Sequence, residues 1–231
     1  MKVLSQHRQN RYDILLCDAD DTVLDFQTAM RTSIINAARA VGIKAADRII
    51  IKEFGDITAI VWRKLEDEGL VRDELDKLRF AMLKERLKED FDASAMSAAF
   101  MREMKKTRFL IDGATEFLSA VRAHGVKVYI VTNGFAPIAR ERLKALDGYI
   151  DGAFISDEIG YNKPDPRLFD YVIGALGVEK SRALVFGDSV NSDIRGGIDS
   201  GIDTCLYDPR GCTKSNADYT VRCFDELLHI L

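Results

Sequence analysis

Ile14-Leu15-Leu16-Cys17, followed at once by Asp18-Ala19-Asp20-Asp21-Thr22, is the stretch that decides the fold. Four apolar residues with acids directly behind them fit a buried strand of a parallel sheet that ends in a loop. That edge is where open α/β sheets place their ligands. Three carboxylates then crowd one small site. They repel one another unless a hard cation sits among them, and oxygen-only ligands of this kind suit Mg²⁺. On this reading Asp18 is a nucleophile held beside a metal. The plainer reading is a polar turn whose acid caps the helix that follows.

Three more strand-then-polar-loop units lie downstream. Val126 to Val131, apolar except for Lys127, runs into Thr132-Asn133-Gly134. A hydroxyl and a carboxamide there can donate to a phosphate oxygen, beside a glycine that lets the backbone come close. Ile155-Ser156-Asp157 leads on to Lys163-Pro164, where the proline restricts the backbone of the lysine and so aims its ammonium group. Ala183-Leu184-Val185-Phe186 ends in Gly187-Asp188, with Asp193 five residues further on. That gives a metal-ligand carboxylate at a strand end and a second acid one turn into the next helix. Singly, each unit has an ordinary explanation as a cap, a solvated charge or a turn. Their succession in this order is what is specific.

Between Thr22 and about Arg108 the strand signals stop. Met30, Ile34, Ala37 and Val41 recur at helical spacing and end at Gly42, and Val71, Leu75, Leu78 and Met82 mark a second stripe. From Ile111 onward strand and helix signals alternate again, which argues for a parallel sheet with right-handed crossovers. The expected organisation is a core of residues 1–22 and 109–231 with an all-helical insert at 23–108.

These motifs resemble those of the haloacid dehalogenase-like hydrolases, mostly phosphatases with a Rossmann-like core. All four family motifs have counterparts, spread over nearly the whole chain: Asp18-Ala19-Asp20-Asp21-Thr22, Thr132-Asn133-Gly134, Lys163-Pro164, and Gly187-Asp188 with Asp193. The resemblance implies an α/β fold, a Rossmann-like three-layer core with a parallel sheet, and a helical insert acting as a mobile cap. It implies that Asp18 attacks phosphorus, that Asp20 is the general acid and base, and that Thr132 and Lys163, with Asn133 beside them, hold the phosphoryl group. Asp18, the backbone carbonyl of Asp20 and Asp188 would bind Mg²⁺, and Asp193 would orient Lys163 or a metal-bound water. The helix beginning near Ser189 would add backbone donors.

Where the commonest family pattern has glycine, this chain has Asp21, a residue type that tolerates unusual backbone angles. An acid here is similar to one branch, the pyrimidine 5′-nucleotidases acting on noncanonical nucleoside monophosphates. Leu24-Asp25-Phe26, Thr132 to Phe135, and Val61-Trp62-Arg63 with Asp73 to Phe80 also resemble that branch. The implied partner is a small phosphate monoester, a nucleoside monophosphate. Trp62 could stack on a base and Arg63 bond a base carbonyl, although the ordinary reading, helix packing for Trp62 and solvation for Arg63, is favoured by burial statistics.

Competing chemistries lose ground on particular residues. A haloacid dehalogenase needs neither a metal nor a second aspartate, so Asp20 and Asp188 count against it. A sugar phosphatase or phosphomutase shares all four motifs and differs in its cap. A receiver-like phosphoryl-accepting module is disfavoured by Asp20 and by the insert. There is no Gly-x-Ser-x-Gly elbow and no Gly-Lys-[Ser/Thr] loop. His7, His124 and His229 have no evident catalytic partner, and His124 precedes Gly125 at an expected helix end, where a cation is favoured.

Composition narrows the rest. The 231 residues suffice for a sizeable core, and 47% hydrophobic with 30% charged residues is ordinary for a globular protein. A net charge of −4 without basic runs argues against nucleic acid polymers and anionic membranes. Cys17, Cys205, Cys212 and Cys223 show neither zinc-site spacing nor disulfide density, and Cys17 reads as a small buried hydrophobe. Residues 1–12 are polar and basic, unlike a signal peptide, and no apolar run approaches the roughly 20 residues that span a bilayer. A cytoplasmic location is expected.

Overall fold

The computed structural model describes residues 11–68 and 72–231, and their side chains except those of 65–68 and 72–76. Six parallel strands form one sheet in the order β3-β2-β1-β4-β5-β6. They are β1 (Ile14–Cys17), β2 (Lys127–Thr132), β3 (Gly152–Ile155), β4 (Ala183–Gly187), β5 (Asp203–Tyr207) and β6 (Tyr219–Val221). All four residues of β1 are buried, as the first stretch predicts.

Alternation splits each central strand between two layers. Leu15, Cys17, Val128, Ile130, Leu184 and Phe186 pack on one face, against Phe117, Leu118 and Val121 of α5 (Ala114–Ala123) and Phe224 of α10 (Phe224–Leu228). Ile14, Leu16, Val131, Ala183 and Val185 face the other way, onto Leu168, Phe169, Val172 and Ile173 of α8 (Pro166–Leu176). The result is the α/β/α sandwich expected, with helices on both sheet faces. His124 ends α5 with its Nδ1 2.8 Å from the Ala120 carbonyl, and His229 follows α10 in the same way. His7 lies outside the described residues.

Between β1 and α5 come α1 (Phe26–Ala40), α2 (Asp47–Glu68), α3 (Arg72–Leu87) and α4 (Ala93–Met104). Met30, Ile34 and Ala37 of the expected stripe are buried, and Gly42, at φ 82°, follows where α1 ends. The second stripe is mis-phased. Leu78 is exposed, whereas Phe80 and Leu83 are fully buried, because the rings of Phe54, Phe80 and Phe100 converge with centroids 5.0–5.8 Å apart. The side chains of Val71 and Leu75 lie outside the described residues. Where the chain leaves and re-enters the sheet region the two linkers pair: the Asp25 amide donates to Phe109 and the Ile111 amide to Val23.

No helix among the described residues is long and apolar enough to cross a membrane. Cys17 and Cys205 are buried, Cys212 and Cys223 are exposed, and all four are free thiols.

Candidate active site

Strand register assembles the site. Cys17 lies level with Ile130 of β2 and Phe186 of β4, so Asp18, Val131-Thr132 and Gly187-Asp188 leave the sheet together. The Asp18 amide donates to the Phe186 carbonyl and fixes the first loop to the last. Carboxylate oxygens of Asp18, Asp188 and Asp193, drawn from two distant segments, then lie within 4.8 Å of one another.

One cation faces them. Lys163 Nζ donates to Asp18 Oδ1 at 2.5 Å, Asp193 Oδ1 at 2.6 Å and the Val131 carbonyl at 2.8 Å, which uses all three of its protons. Its position is imposed from behind. The Asn133 carboxamide accepts from the Lys163 amide (2.8 Å) and donates to the Lys163 carbonyl (2.9 Å). Asn133, expected among the groups holding a phosphate, therefore has the placing of the lysine as its visible task. Asp193 orients Lys163, one of the two roles expected of it, while its Oδ2 accepts from the Ser189 amide. That close approach requires a glycine: a Cβ on Gly187 would stand 2.2 Å from Asp193 Oδ2.

Burial opposes the charge on Lys163, but Asp18 and Asp193 outweigh it and hold the ammonium protonated well above the ordinary lysine range. Burial also raises the proton affinity of Asp18, and the negative charge of Asp193 adds to that against the pull of Lys163. The Asp188 carboxylate opens onto the cleft, but the surrounding walls withdraw it from bulk water, and with Asp18 and Asp193 beside it its pKa is raised too. Three carboxylates against one ammonium leave net negative charge on a set of oxygen donors. That set fits a hard divalent cation such as Mg²⁺.

The loop after β1 shows what Asp21 does. Its φ is 59°, and its Oδ1 accepts from the Phe26 and Gln27 amides at the start of α1. The residue thus meets the backbone demand of the family's usual glycine and caps the helix as well. The capping reading of the acidic turn therefore holds for Asp21. Thr22 Oγ1 donates to Asp18 Oδ2 at 3.4 Å, and Thr132 Oγ1 accepts from the Gly134 amide at 3.1 Å. Ser189 caps the helical turn Val190–Ile194, which runs into α9 (Arg195–Asp199).

One residue of the site escaped sequence reasoning. Arg142 of α6 (Ala136–Leu143) is 3% exposed and ion-pairs with Asp20 through Nη1, while its guanidinium lies 5.7 Å from the Phe26 ring centroid. Its Nε and Nη2 are buried without hydrogen-bond partners. Against the sequence alone Arg142 looks like another surface charge on a helix.

A cleft of about 430 Å³ opens above the carboxylates. Its floor includes Asp18, Asp20, Thr132, Lys163 and Asp188, and its roof comes from α1 and α2, including Phe26, Gly55, Thr58 and Trp62. Trp62 is half-buried there, packed against the apolar core of the insert and lining the cleft, while Arg63 is exposed and does not line it.

The chain belongs to the haloacid dehalogenase-like hydrolases, whose family model matches residues 12–201. Among its relatives, the HAD-hydrolase YfnB of Bacillus subtilis is 31% identical, with 96% of each chain covered. The pyrimidine 5′-nucleotidase YjjG of Escherichia coli is 30% identical over 96% of this chain and 98% of its own. The pyrimidine 5′-nucleotidase PynA of Streptococcus pneumoniae is 28% identical over 95% of each. A crystal structure of YfnB, bound to magnesium and described as revealing interdomain movement, superposes with a TM-score of 0.87 at 30% identity, covering 96% of this chain and 99% of that one.

Proposed function

We propose that this hydrolase is a Mg²⁺-dependent phosphate monoesterase that works through an aspartyl phosphate on Asp18, and that its substrates are pyrimidine nucleoside 5′-monophosphates. The observation that carries the reading is the convergence of Asp18, Asp188 and Asp193 within 4.8 Å around Lys163 at the floor of the cleft. The nucleotidase relatives at 28–30% identity support the substrate class, and the magnesium-bound YfnB structure supports the metal.

Asp18, the Asp20 carbonyl and Asp188 would hold the ion. When bound, Mg²⁺ supplies positive charge that lets an anionic nucleophile approach an anionic ester. The remaining steps belong to the chain. Lys163, fixed by Asn133, Asp193 and Val131, neutralises phosphoryl oxygens without having to reorganise, and Thr132 donates to another. Asp18 attacks phosphorus in line with the departing alkoxide. Asp20, steadied by Arg142, gives that alkoxide a proton and then takes one from the water that cleaves the acyl phosphate. The insert at 23–108 acts as a lid that excludes bulk water while the intermediate lasts and opens for exchange. The interdomain movement described for YfnB supports this part.

The test is a phosphate-release screen over nucleoside monophosphates and sugar phosphates, with and without Mg²⁺. Pyrimidine monophosphates are expected to lead, with release abolished by EDTA. Sugar phosphates leading would overturn the nucleotidase reading, hexose phosphate isomerisation without release would make the protein a mutase, and full activity in EDTA would remove the metal.

A further inference from the structure

Sequence and structure disagree about what α2 ought to contain at residue 55. A glycine inside a 22-residue helix costs about 0.5–1 kcal/mol relative to alanine. Nothing around Gly55 demands one. Its φ is ordinary, and a Cβ built there meets no atom within 4 Å. The position faces the cleft, and so do Thr58, Ala59 and Trp62. Spaced i, i+3, i+4 and i+7, they form one face of the helix. A neighbouring face of the same helix, Ile50, Phe54, Ile57 and Val61, is buried in the apolar core of the insert. The first three roof positions, Gly55, Thr58 and Ala59, thus carry small residues where the core face carries large ones, and Trp62 closes the row.

Thr58 gives a second, independent sign. The residue is only 5% exposed, and its Oγ1 has no hydrogen-bond partner. A buried hydroxyl left unbonded is unfavourable, and a threonine in a helix ordinarily bonds back to a carbonyl of the preceding turn. Because Oγ1 bonds to nothing, turning about χ1 toward a ligand in the cleft breaks no existing hydrogen bond. Beside it stand two aromatic rings, Phe26 from α1 and Trp62 from α2, both half-buried on the cleft wall.

We infer that this roof is the subsite for the leaving group, that it takes a flat heteroaromatic ring between Phe26 and Trp62, and that Thr58 Oγ1 hydrogen-bonds the edge of that ring. Gly55 supplies the room for it. The inference rests on the nucleotidase reading and deepens it, by naming the residues that tell a nucleotide from a sugar phosphate. The floor, by contrast, treats both alike, because it touches only the phosphoryl group.

Uridine 5′-monophosphate and ribose 5-phosphate differ only by the base, so the ratio of their kcat/KM values isolates the roof. Thr58→Val is expected to lower that ratio about fivefold to tenfold, the worth of one hydrogen bond. The same variant should raise the Tm of the unliganded protein, since it removes an unbonded buried hydroxyl. Gly55→Leu, whose Cβ meets no protein atom within 4 Å and whose branches would occupy the cleft, should lower the ratio more than tenfold. Trp62 is the only tryptophan of the chain, so its emission should change on titration with uridine and not with ribose. If wild type prefers uridine 5′-monophosphate but both variants lower the two kcat/KM values equally, the roof assignment is wrong and the nucleotidase reading stands. If wild type prefers ribose 5-phosphate, both fall together.

Discussion

The floor and the roof of the cleft are built on opposite principles. On the floor the groups around the lysine are already engaged: Lys163 has no proton to spare, Asn133 clamps its backbone, and Asp193 bonds on both oxygens. On the roof, Thr58 bonds nothing and Gly55 faces open space. Charge that must be stabilised at the instant of reaction calls for groups that do not move, which is electrostatic preorganisation. Discrimination among leaving groups calls for unused bonding capacity and volume. The contrast explains how a family can keep one chemistry and vary its substrates: changes to the roof touch none of the bonds that place Lys163 and Asp18.

Experiments can break this contrast or sharpen it. The greatest effect belongs to the floor. Asp18→Asn should reduce phosphate release on every substrate by about 10⁴-fold or more, with Asp20→Asn nearly as severe. Substantial Mg²⁺-dependent turnover in purified Asp18→Asn would refute the assignment of the nucleophile.

Next comes the border between the two regions, where Arg142 holds Asp20. Arg142→Met should lower kcat about 10-fold to 100-fold with KM nearly unchanged, because it frees the acid and base without touching the phosphoryl site. Arg142→Lys should restore part of the loss. An effect confined to KM, or equal loss in the lysine variant, contradicts a positioning role.

Metal removal probes the crowding of the floor. Burial and neighbouring negative charge raise the pKa values of Asp18 and Asp188 in the metal-free fold. The folded protein then keeps protons that the unfolded chain gives up, so the contribution of these two acids to stability falls as pH rises from the ordinary aspartate range, about 4, to about 8. Thermal melts in EDTA should show Tm declining over that window, and Mg²⁺ should cancel the decline. A flat or rising Tm in EDTA would mean that the acids are already compensated by the protein.

The smallest effect lies on the roof. Gly55→Ala should stabilise the protein by about 0.5–1 kcal/mol, since it removes a helix glycine without a clash. A Tm raised by a few degrees with a lower preference for nucleotides would display the exchange of stability for room.

How far these regions could be read in advance follows from the same contrast. Strand ends announce themselves, because an apolar run stops and a polar residue must follow it. That is why Asp18, Thr132 and Asp188 could be named from sequence, and why the parallel α/β core was legible, whereas Lys163, beyond the end of β3, was named from the proline behind it. Asp21 was legible too, as a residue able to take a left-handed angle. Helices disclose only that one face is apolar. They do not reveal whether a second face looks onto solvent or into a cleft, so Thr58 and Gly55 passed as ordinary positions, and the phase of α3 was misjudged at Leu78. Arg142 was illegible for another reason: its partner Asp20 lies 122 residues away, and only the docking of α6 brings them together. Two signals were available for the roof: Trp62, read as a residue able to stack on a base, and the glycine in the middle of α2, which has no local reason to be there.

The most direct test is the steric course at phosphorus, measured with a nucleoside 5′-phosphorothioate whose phosphorus carries sulfur and two different oxygen isotopes, hydrolysed in water of the third isotope. Each in-line displacement inverts the configuration, so attack by Asp18 followed by attack of water inverts it twice. A double displacement through Asp18 requires net retention in the released thiophosphate. Net inversion would mean that water attacks the ester in one step, and would contradict Asp18 as the phosphoryl acceptor.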